Sequence, residues 1–457
     1  MGITRNVDGV IPTIDGQVGV AYAPFPKLTT PTDAIALSED PKGNASIVTK
    51  TGTNRLFVGQ STSIVEMDAT FAPVTVGSGL TAHGSDDWVF THYGQFLLTT
   101  NINNGVWSYN VETSTAVGNV TTAPKAREIF AANEMIIALA CDGDNMRWQN
   151  CALGDHTNWT TREANGDSLE SGKALVTGRY LGNGRSVVFQ RSAVNIFSSN
   201  GGTISVSKIS GGIGSVGRRS VTSFNGLAYF LDTKGFFVTD GATTKPIGDE
   251  KIDETFLATV TEGELENVDV GIDPYRKLVM WYYGGTVWVY HWVLGEWSKF
   301  TETLTSLTRV ASSGYTMDNI DSFGTMETIP YSFDDRFWQG EALSLGAFKA
   351  DKKIAFFSGQ NRAATIDTAL QNMGISTLVN SATPLTDDSG VTLAIGKTDI
   401  ISTDPAFGSD IAVQPSGRCP VRGRGKNITF RQKHAEGATW NNARGIDHIE
   451  SSGGGKR

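Results

Sequence analysis

One hairpin recurs along this chain at nearly even spacing, and that recurrence limits the possible folds more than any other feature. Each copy is a short apolar strand, a polar or glycine turn, and a second apolar strand. The copies are RLFVGQSTSIVEMD from Arg55, FLLTTNINNGVWSYN from Phe96 and MIIALACDGDNMRWQN from Met135. They continue with SVVFQRSAVNIFS from Ser186, LAYFLDTKGFFVTDG from Leu227 and KLVMWYYGGTVWVYHW from Lys277. The starts lie 41, 39, 51, 41 and 50 residues apart, the period of four-stranded propeller blades. KIAFFSGQNRAATIDT from Lys353 reads as a seventh copy. Further strands are expected between the hairpins at DDWVFTHYG, ISVSKIS and SLTRVASSG, so each period holds material for about four. Asn104-Gly105, Asp240-Gly241 and Gly284-Gly285 suit tight hairpin turns.

A lone hairpin cannot bury its apolar face, so stacked blades that close into a ring are the economical solution. The competing fold is a β-sandwich with unrelated hairpins. The expected architecture is all-β: a six- or seven-bladed β-propeller over 51–372, an extended N-terminal arm over 1–50 and a small C-terminal β-sheet domain with a flexible tail over 373–457. The arm is rich in Pro and Thr and is expected to pack on the C-terminal sheet or complete a blade. Phe57, Leu97, Ile136, Val188, Tyr229 and Val279 hold corresponding places on the first strand of the six copies and are expected to lie buried in strands. The 52 glycines among 457 residues are scattered without a collagen-like period, as many short strands and tight turns require.

Charge divides the chain unevenly. The net charge is −9. Residues 418–457 hold nine basic groups, among them Arg418, Arg422, Arg424, Lys426 and Arg431, against Glu436, Asp447 and Glu450. That segment is therefore about +6 and the remainder about −15. An acidic body argues against tight nucleic-acid binding, which needs Lys and Arg at phosphates. The basic end is expected to dock on an acidic partner or to form a solvated sheet face. No apolar run is long enough to span a membrane, and the N-terminus lacks a signal-peptide profile. Cys141, Cys151 and Cys419 are too few and too widely spaced for a disulfide framework and fit reduced thiols.

Motifs of chemistry are sparse. Gly212-Ile-Gly214-Ser-Val-Gly217 matches a dinucleotide fingerprint in letters only, because RRSVTSFNGLAYF follows where a helix is needed. Asp142, Asp144 and Asn145 read as a hairpin turn rather than a calcium loop. His83, His92, His156, His291, His434 and His448 show no metal-binding spacing. The acid pairs Asp86-Asp87, Asp334-Asp335 and Asp387-Asp388 read as turn residues. Trp281, Tyr282, Tyr283, Trp288, Tyr290, Trp292 and Trp297 read as inter-blade core before a sugar platform. No catalytic, cofactor-binding or metal-ligating residue is nominated, and no enzyme activity is expected.

Several strings resemble one family in order and spacing. They are TGTNRLFVG, DDWVFTHYGQFLLTTN, APKAREIFAANEMIIAL, MRWQNCALGDHTNWT, GGIGSVGRRSVTSFNGLAYFLDTKGFFVTDG, IGDEKIDETF, DPYRKLVMWYY and GRGKNITFRQKHAEGATWNNARGID. Over residues ~50–450 the chain is similar to tailed-bacteriophage structural proteins: the tail-hub, or packaged-DNA stabilisation, proteins and the nozzle proteins of short-tailed phages. The resemblance implies a propeller subunit of a hexameric ring in the virion tail, assembled in the host cytoplasm. Such a ring would lie below the portal and adaptor, continue the DNA channel, and help retain and then release the genome; the excess of acids in the body of the chain adds the expectation of an acidic or neutral channel wall. A receptor- or polysaccharide-binding tail propeller is the alternative. The first ~45 residues carry none of the matching strings.

Overall fold

The computed structural model describes residues 6–15, 19–49, 53–68, 70–84, 86–311, 343–400 and 404–453. Four-stranded antiparallel meanders follow one another along the chain. Blade 1 is Asn44–Val48, Asn54–Gly59, Ile64–Met67 and Pro73–Gly77, and blade 2 is Val89–Tyr93, Phe96–Asn101, Gly105–Asn110 and Gly118–Asn119. Blade 3 is Ala126–Ala132, Met135–Cys141, Arg147–Asn150 and Asn165–Ser168, and blade 4 is Leu175–Gly182, Arg185–Gln190, Ala193–Asn200 and Thr203–Gly211. Blade 5 is Thr222–Phe224, Leu227–Asp232, Gly235–Thr239 and Thr244–Pro246. Blade 6 is Asp269–Asp273, Leu278–Tyr283, Thr286–His291 and Glu296–Thr301, and its outer strand runs on into a larger sheet. Blade 7 takes Ser306–Ala311, Leu343–Phe348 and Ile354–Asn361, and its outer strand, Pro26–Thr29, comes from the N-terminal segment. Six blades are thus separate sheets, and blade 6 is the unit shared with the C-terminal sheet. The fold is a β-propeller, closed where the inner strand of blade 7 meets that of blade 1.

The second strand of each blade shows why the ring forms. Met135–Cys141 is buried at all seven positions, because neighbouring blades cover both faces and no alternation survives. The outermost strand Thr203–Gly211 lies largely in solvent. One apolar cluster fills each junction between adjacent blades around the ring. Phe57, Leu97, Ile136, Val188, Tyr229 and Val279 are all buried and in strands, on the second strand counted from the axis. The seventh copy is out of phase with the others. Lys353 leads into Ile354–Asn361, the third strand of blade 7, and the second strand is Leu343–Phe348.

The N-terminal residues bind the parts together. Asn6–Asp8 lies parallel to the outer strand of blade 6 and antiparallel to Ala364–Asp367 of the C-terminal sheet. The hairpin Val10–Asp15 and Gly19–Pro24 meets Ala443–Gly453 through Tyr22 and Ala443. Pro26–Thr29 then completes blade 7. Blade 1 therefore begins at Asn44, after Pro26–Thr29 has already been given to blade 7, and the chain joins the C-terminal sheet from Ala364, where the sequence pointed to 51 and 373. NASIV and ATID are too short and mixed to stand out as sheet segments. Gly9 is required at this weld: its φ is +78, and a Cβ would lie 2.2 Å from the Ala363 carbonyl oxygen. Beside it Arg362 is buried. It donates to the Pro26 and Thr301 carbonyls and pairs with Glu302, and its guanidinium lies 4.4 Å from the Phe300 ring centre.

The C-terminal sheet is built on Gln371–Thr386, Gly423–His434 and Ala443–Gly453, with Thr392–Thr398 and two short strands on its flank. No helix among the described residues is long and apolar enough to cross a membrane.

Candidate functional site: the axial girdle and the basic ridge

The inner strands of all seven blades line one axial cavity of about 350 Å³. Polar groups enter it where each blade begins. The GIGSVG loop leads to a three-residue 3-10 turn, Arg218–Ser220, held by the Ser220 hydroxyl on the Gly217 carbonyl at 2.8 Å. Its glycines serve close packing. A Cβ on Gly214 would fall 2.1 Å from the Gln190 carbonyl oxygen, and one on Gly217 2.9 Å from that of Glu266. The loop presents two arginines to the axis rather than cradling a phosphate.

Those arginines reach across the ring. Arg218 binds the Arg127 carbonyl of blade 3 at 2.5 Å and Asp86, just before blade 2, at 3.1 Å. Asp86 also takes two nitrogens of Arg127, at 3.0 and 2.9 Å. Arg219 bridges Asp87 at 2.8 Å and Asp269 of blade 6 at 2.7 Å. Asp269 in turn accepts the Leu307 amide of blade 7 at 2.8 Å. Between blades 3 and 4, Glu128 accepts from the Thr177 hydroxyl at 2.9 Å and pairs with Arg179 at 3.2 Å. The Asn44 amide of blade 1 donates to Ser306 of blade 7 at 3.1 Å. The result is a polar girdle around the axis.

Burial raises the Glu128 pKa, and Arg179 and Arg218 oppose that shift. Burial works against the charge on Arg219, but Asp269 and Asp87 outweigh it and hold the guanidinium firmly protonated. The acids and bases lining the cavity balance, Asp87, Glu128 and Asp269 against Arg179, Arg218 and Arg219. Their hydrogen-bonding capacity is directed at one another. Asp86-Asp87, read in the sequence as turn residues, are therefore corrected to members of this girdle. A phase signal was present: a charged pair recurs just before or within the inner strand of blades 2, 3 and 5.

The five basic residues nominated on the C-terminal sheet divide into two groups. Arg418 is tied to Ser381 at 2.9 Å and to Glu450. Arg431 makes two 2.7 Å bonds to Asp367 and lies 3.8 Å from the Phe407 ring centre. Both consolidate the sheet. Arg422, Arg424 and Lys426 alternate with buried neighbours and are exposed, and among the described residues no carboxylate pairs with their side chains. Lys456 and Arg457 lie outside the described residues.

The remaining sequence candidates take structural places. Asp142, Asp144 and Asn145 form the turn between two strands of blade 3. Trp281, Trp288, Tyr290 and Trp297 are buried between blades 5 and 6, with Tyr283 and Trp292 packed against them. The three cysteines are buried, and burial pushes the Cys141 thiol up to about 12 and Cys151 to about 11. Asp387 accepts the backbone amides of Asn441 and Asn442, and Asp388 pairs with His434 at 2.7 Å. Asp334-Asp335 and the His448 side chain lie outside the described residues. No group of three His, Cys, Asp or Glu suited to a metal ion occurs among the described residues.

No protein-family model matches the chain, and no curated protein matches it in sequence. Similar solved structures are propellers and other proteins of very low identity. The β-propeller domain of Cps50 (Swd1) from Myceliophteria thermophila is 9% identical, covering 62% of this chain and 96% of that one, with a TM-score of 0.40. The computationally designed Ika8 protein is 8% identical over 78% and 97%, with a TM-score of 0.43. A streptogramin B lyase is 10% identical over 72% and 96%, with a TM-score of 0.44.

Proposed function

We propose that this chain is a structural subunit of a phage tail conduit, a hub or nozzle ring that continues the DNA channel below the portal and adaptor. The observation that carries this reading is the segregation of positive charge. The axial arginines are consumed by carboxylates, whereas Arg422, Arg424 and Lys426, with no carboxylate partner among the described residues, form one exposed ridge on a sheet welded to the propeller rim. A body of excess negative charge with one basic docking face suits assembly with its own copies and with tail proteins. An axial cavity of about 350 Å³ is on the scale of a small-molecule pocket, far too small for a duplex. The DNA path therefore runs between copies, and subunit contacts hold the ring. The chain acts without enzymatic turnover.

The alternative, a receptor- or polysaccharide-binding tail propeller, is less well supported because most of the dense aromatic run is buried core and offers no sugar platform. Negative-stain imaging of the purified protein, together with virions labelled by antibody against it, tests the reading. A six-fold ring with an open axis and label on the tail is expected. A trimer at a fibre tip, or no virion label, overturns it.

A further inference from the structure

We infer that the ring contact is made by charge: the basic ridge of one copy seats on the acidic connector between blades 5 and 6 of the next. This inference rests on the ring reading above and names its interface.

The ridge has the make-up of a protein-docking surface. Arg422, Arg424 and Lys426 face solvent, and Gly423, Gly425 and Asn427 turn inward. Pairing of Asn372 with Asn427 and of Thr377 with Gly425 leaves residues 373–376 bulging beside Lys426. Ile375 in that bulge is 58% exposed. On the other flank Thr398 pairs with Asn427, and Ile400, two residues on, is 62% exposed. Basic groups flanked by exposed isoleucines suit a protein surface. Three cations are few for a duplex, whose affinity grows with each phosphate neutralised.

The acceptor is the connector 249–267, built from the helix Asp253–Leu257 and the 3-10 turn Glu262–Asn267. It exposes Asp249, Glu250, Glu254, Glu262, Glu264 and Glu266. Glu264 caps Thr261 and Glu266 pairs with Arg191. Asp249, Glu250, Glu254 and Glu262 have no basic partner among the described residues. Lys251 donates to the Gly295 carbonyl at 2.6 Å, which brings this connector beside Val293, 57% exposed. Acids beside an exposed valine mirror cations beside exposed isoleucines. Two different patches on one chain make a head-to-tail contact, which closes into a ring when its rotation permits.

Charge reversal tests the pairing by sedimentation of the purified full chain. Arg422→Glu/Arg424→Glu/Lys426→Glu is expected to run as monomer where the unmodified chain forms rings. Glu254→Lys/Glu262→Lys is expected to do the same. A 1:1 mixture of the two variants restores opposite charge at every contact of an alternating ring, so rings return. Should a reversed set melt differently from the parent chain, Arg422→Gln/Arg424→Gln/Lys426→Gln and Glu254→Gln/Glu262→Gln replace the two sets, each expected to weaken the ring at least ten-fold. Rings that persist in both variants, or a mixture of folded variants that stays monomeric, sink this interface while leaving the ring reading intact. Intact rings with lost duplex-DNA binding in the ridge variant would assign the ridge to DNA and also overturn it. An unmodified chain that is monomeric at every concentration removes the ring reading itself.

Discussion

Arg219 is the side chain on which the axial girdle depends most visibly, since it holds Asp87 and Asp269 at once. Replacing it by Met leaves two carboxylates facing a low-dielectric cavity. Removing one partner of a buried pair costs about 3–5 kcal/mol, and the partial solvent access of this guanidinium places the loss near the lower figure. Denaturant unfolding of Arg219→Met measures it, and a change below about 1 kcal/mol would reduce the girdle to surface ion pairing. His434 supplies a pH signature. It is buried, bonded to Asp388 at 2.7 Å and stacked on Trp440 at 4.2 Å. Burial lowers its pKa from 6.5, against the opposing pull of Asp388 and Asp387. The folded state thus binds fewer protons than the unfolded chain. This contribution to stability is complete above pH 6.5 and is lost as pH falls through 6.5 toward the lower folded value. Melting temperatures should decline over that window in the parent chain and less so in His434→Gln. Neither role was legible beforehand, because girdle partners such as Arg218 and Asp86 stand 132 residues apart in sequence.

At the level of elements, the repeated second strand was readable from its apolar run, and the closure was not. Pro26–Thr29 carries no strand pattern of its own, yet it is the outer edge of blade 7. Phe25 beside it is fully buried, with ring centres 5.0 Å from both Phe300 and Phe357. Phe25→Ala is expected to cost about 3–5 kcal/mol by opening a cavity at this closure. A core position inside one blade, Ile136→Ala, should cost about 2–5 kcal/mol. Thermal or denaturant unfolding reads both. If Phe25→Ala is nearly neutral while Ile136→Ala is not, the N-terminal strand is an ornament rather than a clasp. The phase of blade 7 was misread for the same reason: its fourth strand comes from the other end of the chain, so the local hairpin begins one strand later.

For the whole molecule, charge sets the expected behaviour toward DNA. A body with about fifteen excess acids, whose axial arginines are already paired, should bind free duplex weakly. Its binding should fall only gently with salt, because few phosphates are neutralised. Fluorescence anisotropy across a salt series decides this. Tight binding with a steep slope would point to a protein that clamps DNA. Turnover of host polysaccharide, peptidoglycan or nucleotides is not expected in a direct screen, and activity abolished by changing a single carboxylate would overturn the structural reading.

The sequence alone determined the class of fold, because a hairpin repeating every 40–50 residues must stack its apolar faces on its neighbours. It also determined where basic charge accumulates. It did not determine which basic groups are free. Arg418 and Arg431 are no different in type from Arg422 and Arg424, and only the pairing of strands put Glu450 and Asp367 within reach of the first two. The axial girdle likewise exists only after the ring closes. Its charged members are local residues of five separate segments, and nothing short of tertiary packing brings Arg218 and Arg219 to the acids that hold them.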